Sequence, residues 1–325
     1  MHNKQRTSLP LRLFMRNKQR TSLPLRLFVR NMQRTILPLL LCALALLAGC
    51  AQQEPPALEQ VEYSNLTDLG SRALLSDLLA AADIEARRTT ALLARVDRFN
   101  GSVRRAWLTD GFERAATTET KYDPYEMQEM WSATNGSFVG HNCRITAFGL
   151  FGGAITADAD QPEAQGEDAL FLDLETLAAD PGALCGGSTA SFCALFAPVE
   201  AADSTETKAQ VKALRDGWAA RGVTFQKSKA SLISVVFQDK FSEEDNTLFI
   251  GHVGVLLPAE DGTLCFVEKV AFQEPYRLVK LADRTALSDY LMARYDTAWD
   301  QETTRPFVME NDALMKGYRP NPLSK

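Results

Sequence analysis

The feature that most limits the fold is a change of pattern at Gly222. Before it, apolar residues recur at helical spacings; after it, they come in short β-branched runs. Leu66, Leu69, Leu74, Leu75, Leu78, Leu79 and Ile84 predict a first helix, with Thr67 or Asp68 placed to cap it. Ala91, Leu92, Leu93, Val96 and Phe99 predict a second, ending near Asn100-Gly101. The segment 63–115 thus reads as helical, and 121–130 as a turn followed by a short helix. Residues 135–142 read as a loop that leads into a helix starting at or near Cys143, carried by the apolar run 145–151. Residues 170–179 and 208–221 complete the helices, with a turn at 181–187. Beyond Gly222, residues 232–237, 248–257 and 264–272 read as strands, with a turn at 258–262. Residues 275–281 extend the sheet, and 285–295 form a helix with Leu287, Leu291 and Tyr295 on one face. Helices first and strands after predict an α+β fold.

The first 49 residues belong to a different class of sequence. The tract 2–14 returns at 15–28 and again, degraded, from Val29. A repeat of this length in so short a tract is a duplicated stretch or an over-extended start, and Met32 would open an ordinary signal peptide. The apolar run 36–48 ends in Leu47-Ala48-Gly49-Cys50, which resembles the bacterial lipobox. That resemblance implies cleavage before Cys50, a diacylglycerol on its thiol, and a protein outside the cytoplasm. The run is shorter than the roughly 20 residues a membrane span needs. Residues 50–62, with Pro55-Pro56, read as a tether. Ala51 favours an outer-membrane anchor if the cell is Gram-negative; a Gram-positive surface stays open. Cys50 makes the membrane a partner through its lipid. The remainder divides into a helical part, 63–134, and an α+β core, 135–325.

Charge excludes one class of partner. Residues 1–49 carry nine Lys/Arg and no acid, which leaves 26 basic against 41 acidic side chains in the rest. Nucleic acid rewards clustered cations, so none is expected as a partner.

Imidazoles are scarce, since only His141 and His252 follow the leader. Cys143, at a helix start, meets the free N–H groups and positive potential that lower a thiol pKa. The plain alternative is a buried, inert cysteine. His252 lies within the strand Phe249-Ile250-Gly251-His252-Val253-Gly254-Val255-Leu256-Leu257. Alternation puts Ile250, His252, Gly254 and Leu256 on one face. A ring nitrogen among apolar residues needs a partner, either in the core or in a site. A turn at 258–262 sets Leu257 opposite Thr263 and His252 opposite Glu268. That carboxylate would hold the imidazole's tautomer, as in catalytic triads; otherwise Glu268 pairs with a surface base.

A cysteine at a helix start, a histidine on a later strand and a polar group on the adjoining strand resemble the papain-like fold. The closest likeness is to the NlpC-type and CHAP-type cell-wall amidases and peptidases, where a strand often reads as His252-Val253-Gly254-Val255 does here. The resemblance implies a Cys-bearing helix packed on an antiparallel sheet, with Cys143 as nucleophile, His252 as general base and Glu268 as orienter. With the anchor, it implies peptidoglycan or another envelope peptide as substrate. Asn142-Cys143-Arg144-Ile145-Thr146 departs from the Asp-Cys-Ser-Gly-Phe common in NlpC-type enzymes. Arg144 and Ile145 therefore leave a second reading open: a surface lipoprotein that binds a ligand or partner on a degenerate hydrolase scaffold. Tyr63-Ser64-Asn65-Leu66, Asn142 to Phe148 and Gly251-His252-Val253-Gly254 resemble a bacterial lipoprotein family with a domain of unknown function.

Smaller signals remain. Asn142 is an oxyanion donor or a helix cap. His141, two residues from Cys143, reads as loop surface. Cys185 and Cys193 form a disulfide in an oxidising compartment or remain buried thiols. Cys265 reads as core. Asp173 and Glu175 read as a solvated helix face. The thiols and His252 do not make a zinc set, and no cofactor is implied.

Overall fold

The computed structural model describes residues 57–158, 168–243, 245–297, 301–321 and 324. The expected signal segment 1–49, the lipidation site Cys50 and the tether as far as residue 56 lie outside the described residues. The described chain begins with a strand, β1 (Gln60–Ser64), followed by α1 (Leu69–Ala81), α2 (Ala86–Ser102), β2 (Glu113–Ala116) and α3 (Pro124–Asn135). β1 thus begins inside the segment expected to be a tether, 50–62, because Gln60–Ser64 pair into the sheet, and the segment 63–115 expected to be helical ends in β2. Next come α4 (Cys143–Phe151), β3 (Ile155–Thr156), α5 (Phe171–Ala179), α6 (Thr189–Phe196), β4 (Val199–Glu200), α7 (Thr207–Ala220) and β5 (Thr224–Phe225). The β-rich half holds β6 (Ser231–Lys240), β7 (Asn246–Pro258), β8 (Leu264–Lys269) and β9 (Tyr276–Leu281). It closes with α8 (Arg284–Tyr295), β10 (Phe307–Glu310) and β11 (Ala313–Leu314).

Short polar side chains start the helices where the sequence offers them. Asp68 accepts from the Ser71 N–H, Ser188 from Ser191 and Asp283 from Ala286. Asp123 caps α3, with Pro124 in its first turn.

The main sheet runs β11-β10-β6-β7-β8-β9-β1-β2, and its pairings are antiparallel. β1 lies beside β9, so the N-terminal segment and the later strands share one sheet. Both faces are covered. On one, Leu75, Val96, Phe148 and Phe192 pack with Val253, Val255 and Leu257. On the other, Leu287, Tyr290 and Leu291 of α8 pack with Ile233, Val235, Leu256 and Phe266. The chain is thus a mixed α+β fold with N-terminal helices and a central antiparallel sheet. Among the described residues, no helix is long and apolar enough to cross a membrane.

Two details of β7 differ from expectation. Leu257 pairs with Cys265 and Gly254 with Glu268, a shift of two residues from the expected register. The reason is that Pro258 stays in the strand and pairs with Leu264, which moves the turn to 259–263. A shift of two leaves every side chain on its original face. The second difference is a bulge: Val235 pairs with His252 and Val236 with Ile250, and Gly251 is left over. The bulge breaks the alternation. Ile250 joins Val253 in one core layer, away from the face of His252.

The same strand leaves room for α4. On the edge opposite β6, β4 pairs with Thr247 and Leu248, whereas β8 begins at Gly254. Helix α4 packs on β7 and β8. Arg144 Nη1 donates to the Ile250 carbonyl, 3.2 Å away, in the stretch between those two strands. The start of α4 therefore meets β7 beside His252.

Candidate active site

Cys143 is the first residue of α4. Asn142 precedes it as the cap, its Oδ1 accepting from the Ile145 N–H at 3.0 Å. Its Nδ2 donates to Asp173 at 2.7 Å. Both ends of the amide are thus engaged, and Asn142 is a cap rather than an oxyanion donor. Helix geometry leaves the N–H groups of Cys143 and Arg144 outside the helix's own hydrogen bonds.

One face of α5 pins the loop before Cys143. Asp173 accepts from Asn142 and holds Arg144 through two contacts, Nε–Oδ1 at 3.1 Å and Nη2–Oδ2 at 2.6 Å. Thr176 Oγ1 donates to the Gly140 carbonyl at 3.0 Å. Asp180, just past the helix, lies 2.9 Å from His141 Nε2. Asp173 is therefore buried, not solvated, because it carries the charge of Arg144; Glu175 is exposed as expected. His141 is likewise buried rather than on the surface, because Asp180 supplies the partner its ring needs inside. Arg144, beside the cysteine, is drawn to Asp173 and the β7 backbone.

The disulfide between Cys185 and Cys193 is not formed; each is a thiol. Cys185 lies in the turn before α6, with positive φ, near the Arg87 guanidinium. Cys193 lies inside α6 among buried phenylalanines. Cys265 packs in the core on the face opposite Glu268, as expected.

Cys143, His252 and Glu268 come together. His252 Nε2 lies 2.7 Å from Glu268 Oε2, although the two are diagonal rather than opposite in the sheet. The Cys143 thiol and the His252 imidazole lie close enough for each to act on the other's ionisation. Nε2 is occupied by Glu268, so Nδ1 is the ring nitrogen left for sulfur. Exposures are 7% for Cys143, 1% for His252 and 2% for Glu268, so the group is closed from solvent.

Burial alone would keep all three neutral. For Cys143 it opposes ionisation, yet the neighbouring His252 imidazole outweighs it and lowers the thiol pKa. For His252 burial opposes protonation, but the neighbouring Cys143 thiol and the Glu268 carboxylate raise its pKa to about 9. For Glu268 burial favours the acid, and the His252 bond lowers its pKa to about 2. The arrangement favours a thiolate beside an imidazolium, backed by a carboxylate.

Helix α8 supplies two residues that sequence reading did not assign to the site. Tyr290 donates its hydroxyl to Glu268 Oε1. The Tyr295 ring stacks on the His252 ring, with centroids 5.1 Å apart and planes 24° apart. Phe237 meets Tyr295 edge-on and stacks on Phe249. Tyr295 was read on the apolar face of this helix, which is where it lies, but nothing local told that this face meets the histidine. Among the described residues, no cluster of three or more His, Cys, Asp or Glu could hold a metal ion.

A family model described as a domain of unknown function (DUF4300) matches residues 62–315. The chain belongs to that family. Cys143, His252, Glu268, Tyr290 and Tyr295 all fall inside the span that matches DUF4300, whereas Cys50 precedes it. No curated protein and no solved structure matches the chain.

Proposed function

We propose that this DUF4300 chain is a cysteine hydrolase with a papain-like core. In this reading it is exported and held to the cell envelope through a lipid on Cys50, and it cleaves peptide or amide bonds there. One observation carries the reading: Cys143, at the start of a buried helix, meets His252, whose far nitrogen is held by Glu268. A nucleophile, a base and an orienting carboxylate need that order of contacts.

The reaction follows from the groups present. The Cys143 thiolate attacks the carbonyl carbon, forming a C–S bond and an oxyanion. The N–H groups at the start of α4 face the developing charge. His252 gives its Nδ1 proton to the leaving amine as the C–N bond breaks, leaving a thioester. Water then loses a proton to His252 and attacks the thioester. The carboxylic acid departs, and the thiolate–imidazolium pair is restored. The envelope peptide as substrate rests on the lipobox and on likeness to cell-wall hydrolases.

The test is an intact-mass measurement with p-nitrophenyl acetate, followed by chromatography of muropeptides. The expected result is an acetyl group on Cys143 that is absent in Cys143→Ala and long-lived in His252→Ala, together with muropeptide cleavage by the wild type alone. An unlabelled Cys143, with muropeptides treated identically by wild type and Cys143→Ala, contradicts the reading.

A further inference from the structure

The carboxylate behind His252 is held from both sides. Its Oε2 faces His252, and its Oε1 accepts from the hydroxyl of Tyr290, a fully buried residue midway along α8. That hydroxyl is in turn 3.4 Å from Arg277 Nη1. Arg277 is the residue directly opposite Glu268 in the β8–β9 pairing, and it is 2% exposed. Its Nη2 reaches the Tyr122 hydroxyl at 3.5 Å, and Tyr122 donates to Glu274 Oε2 at 2.7 Å. The direction of donation is consistent throughout. Arg277 can only donate, so both phenols accept from it and donate onward, one to Glu268 and the other to Glu274. A phenol that accepts from a guanidinium is a stronger donor to its own acceptor.

We infer that Tyr290 is a positioning residue for the proposed reaction, holding Glu268 so that its Oε2 serves His252 rather than Arg277. This inference rests on the Cys143–His252 reading. The physical reason is competition. Glu268 lies among three cations, His252, Arg277 and Arg294, all of which act on its charge. Left unheld, a buried carboxylate turns toward the guanidinium across the strand, because that pairing can be bidentate. The Tyr290 hydroxyl stands between the two. It occupies Oε1, satisfies Arg277 Nη1 and leaves Oε2 for the imidazole. Helix α8 is then part of the machinery through Tyr290, and its seat on the sheet sets the state of the histidine.

The experiment is a nitrogen-15 NMR titration of the imidazoles. The chain has three histidines, so the resonances can be assigned with single substitutions. In the wild type His252 is expected to titrate at about 9. Tyr290→Phe removes only the hydroxyl and should lower the midpoint by about one unit, a tenfold change in the ionisation constant. Glu268→Gln should lower it further, and the double variant should match Glu268→Gln, because Tyr290 acts through the carboxylate. A Tyr290→Phe midpoint equal to that of the wild type overturns the inference. So does a double variant that falls well below Glu268→Gln. A wild-type His252 that titrates at or below the ordinary imidazole value of 6.5 instead sinks the underlying Cys–His reading. Should Tyr290→Phe not fold, the wild type still decides. The carbon-13 shift of Tyr290 Cζ must move with the His252 midpoint, and a shift that ignores it overturns the assignment.

Discussion

Cys143, His252 and Glu268 were visible as residues because each breaks a local pattern: a thiol at a helix start, and a ring and a carboxylate in apolar strands. Their contact survived a register error of two because side chains on a strand repeat every second residue. Asp173 and His141 were placed wrongly for one shared reason. A helix face with polar residues at three- and four-residue spacing looks solvated, and only the fold shows that the stripe Asp173, Thr176, Asp180 grips the loop before Cys143. Asp173 carries the most weight, since it is fully buried and holds Arg144 through two contacts. Asp173→Ala leaves that guanidinium unpaired, and equilibrium denaturation should show a loss of about 3 kcal/mol or more. At the surface of the site, the partly exposed Tyr295 ring stacks on His252. Tyr295→Ala should speed alkylation of Cys143 several-fold at neutral pH; an unchanged rate would show that the ring does not restrict access.

At the scale of elements, β7 is the strand that makes the site. Its bulge at Gly251 separates Ile250, which joins the core layer of Val253, from His252, which faces α8. Gly254 lets β8 close beside it. A Cβ added there would lie 2.4 Å from the Phe266 ring and 2.6 Å from the Val267 carbonyl oxygen. Gly254→Ala therefore forces backbone or ring to move, and its denaturation midpoint should report a loss of about 2 kcal/mol. The bulge was not legible, because Gly251 reads equally well as one more residue of a regular strand. Helix α6 was missed because Phe192, Cys193, Ala194, Leu195 and Phe196 are all buried, so it has no polar face to show a period. The strands β1 and β2 are not legible because each is short: β1 straddles the end of the expected tether and the start of the helical reading, and β2 sits at the end of a long helical pattern. The order of helices first and strands after, by contrast, is plain in the sequence and points to the α+β class.

Over the whole molecule, the buried charges set how stability varies with pH. Glu268 has a folded pKa of about 2 against 4.5 when unperturbed. Its contribution is fully present above 4.5 and is lost as pH falls through about 2. Thermal unfolding across that range should therefore flatten in Glu268→Gln; an acid limb identical to that of the wild type would show that the carboxylate's stabilisation lies elsewhere. His252 runs the other way. Its folded pKa of about 9 lies above 6.5, so its contribution is full below 6.5 and is lost as pH rises through about 9. Cys143, lowered from 9.0, runs opposite to His252: its contribution is fully present above 9.0 and is lost as pH falls through its folded value.

The pair itself is the central claim, and the rate of Cys143 labelling by iodoacetamide across pH tests it most directly. The labelled cysteine is identified by peptide mass, and wild type is compared with His252→Ala. The account predicts a labelling midpoint for the wild type below the ordinary thiol value of 9.0, moving up to that value or beyond when the imidazole is removed. A Cys143 that labels no faster than an ordinary thiol, and with the same pH dependence in both proteins, would contradict it.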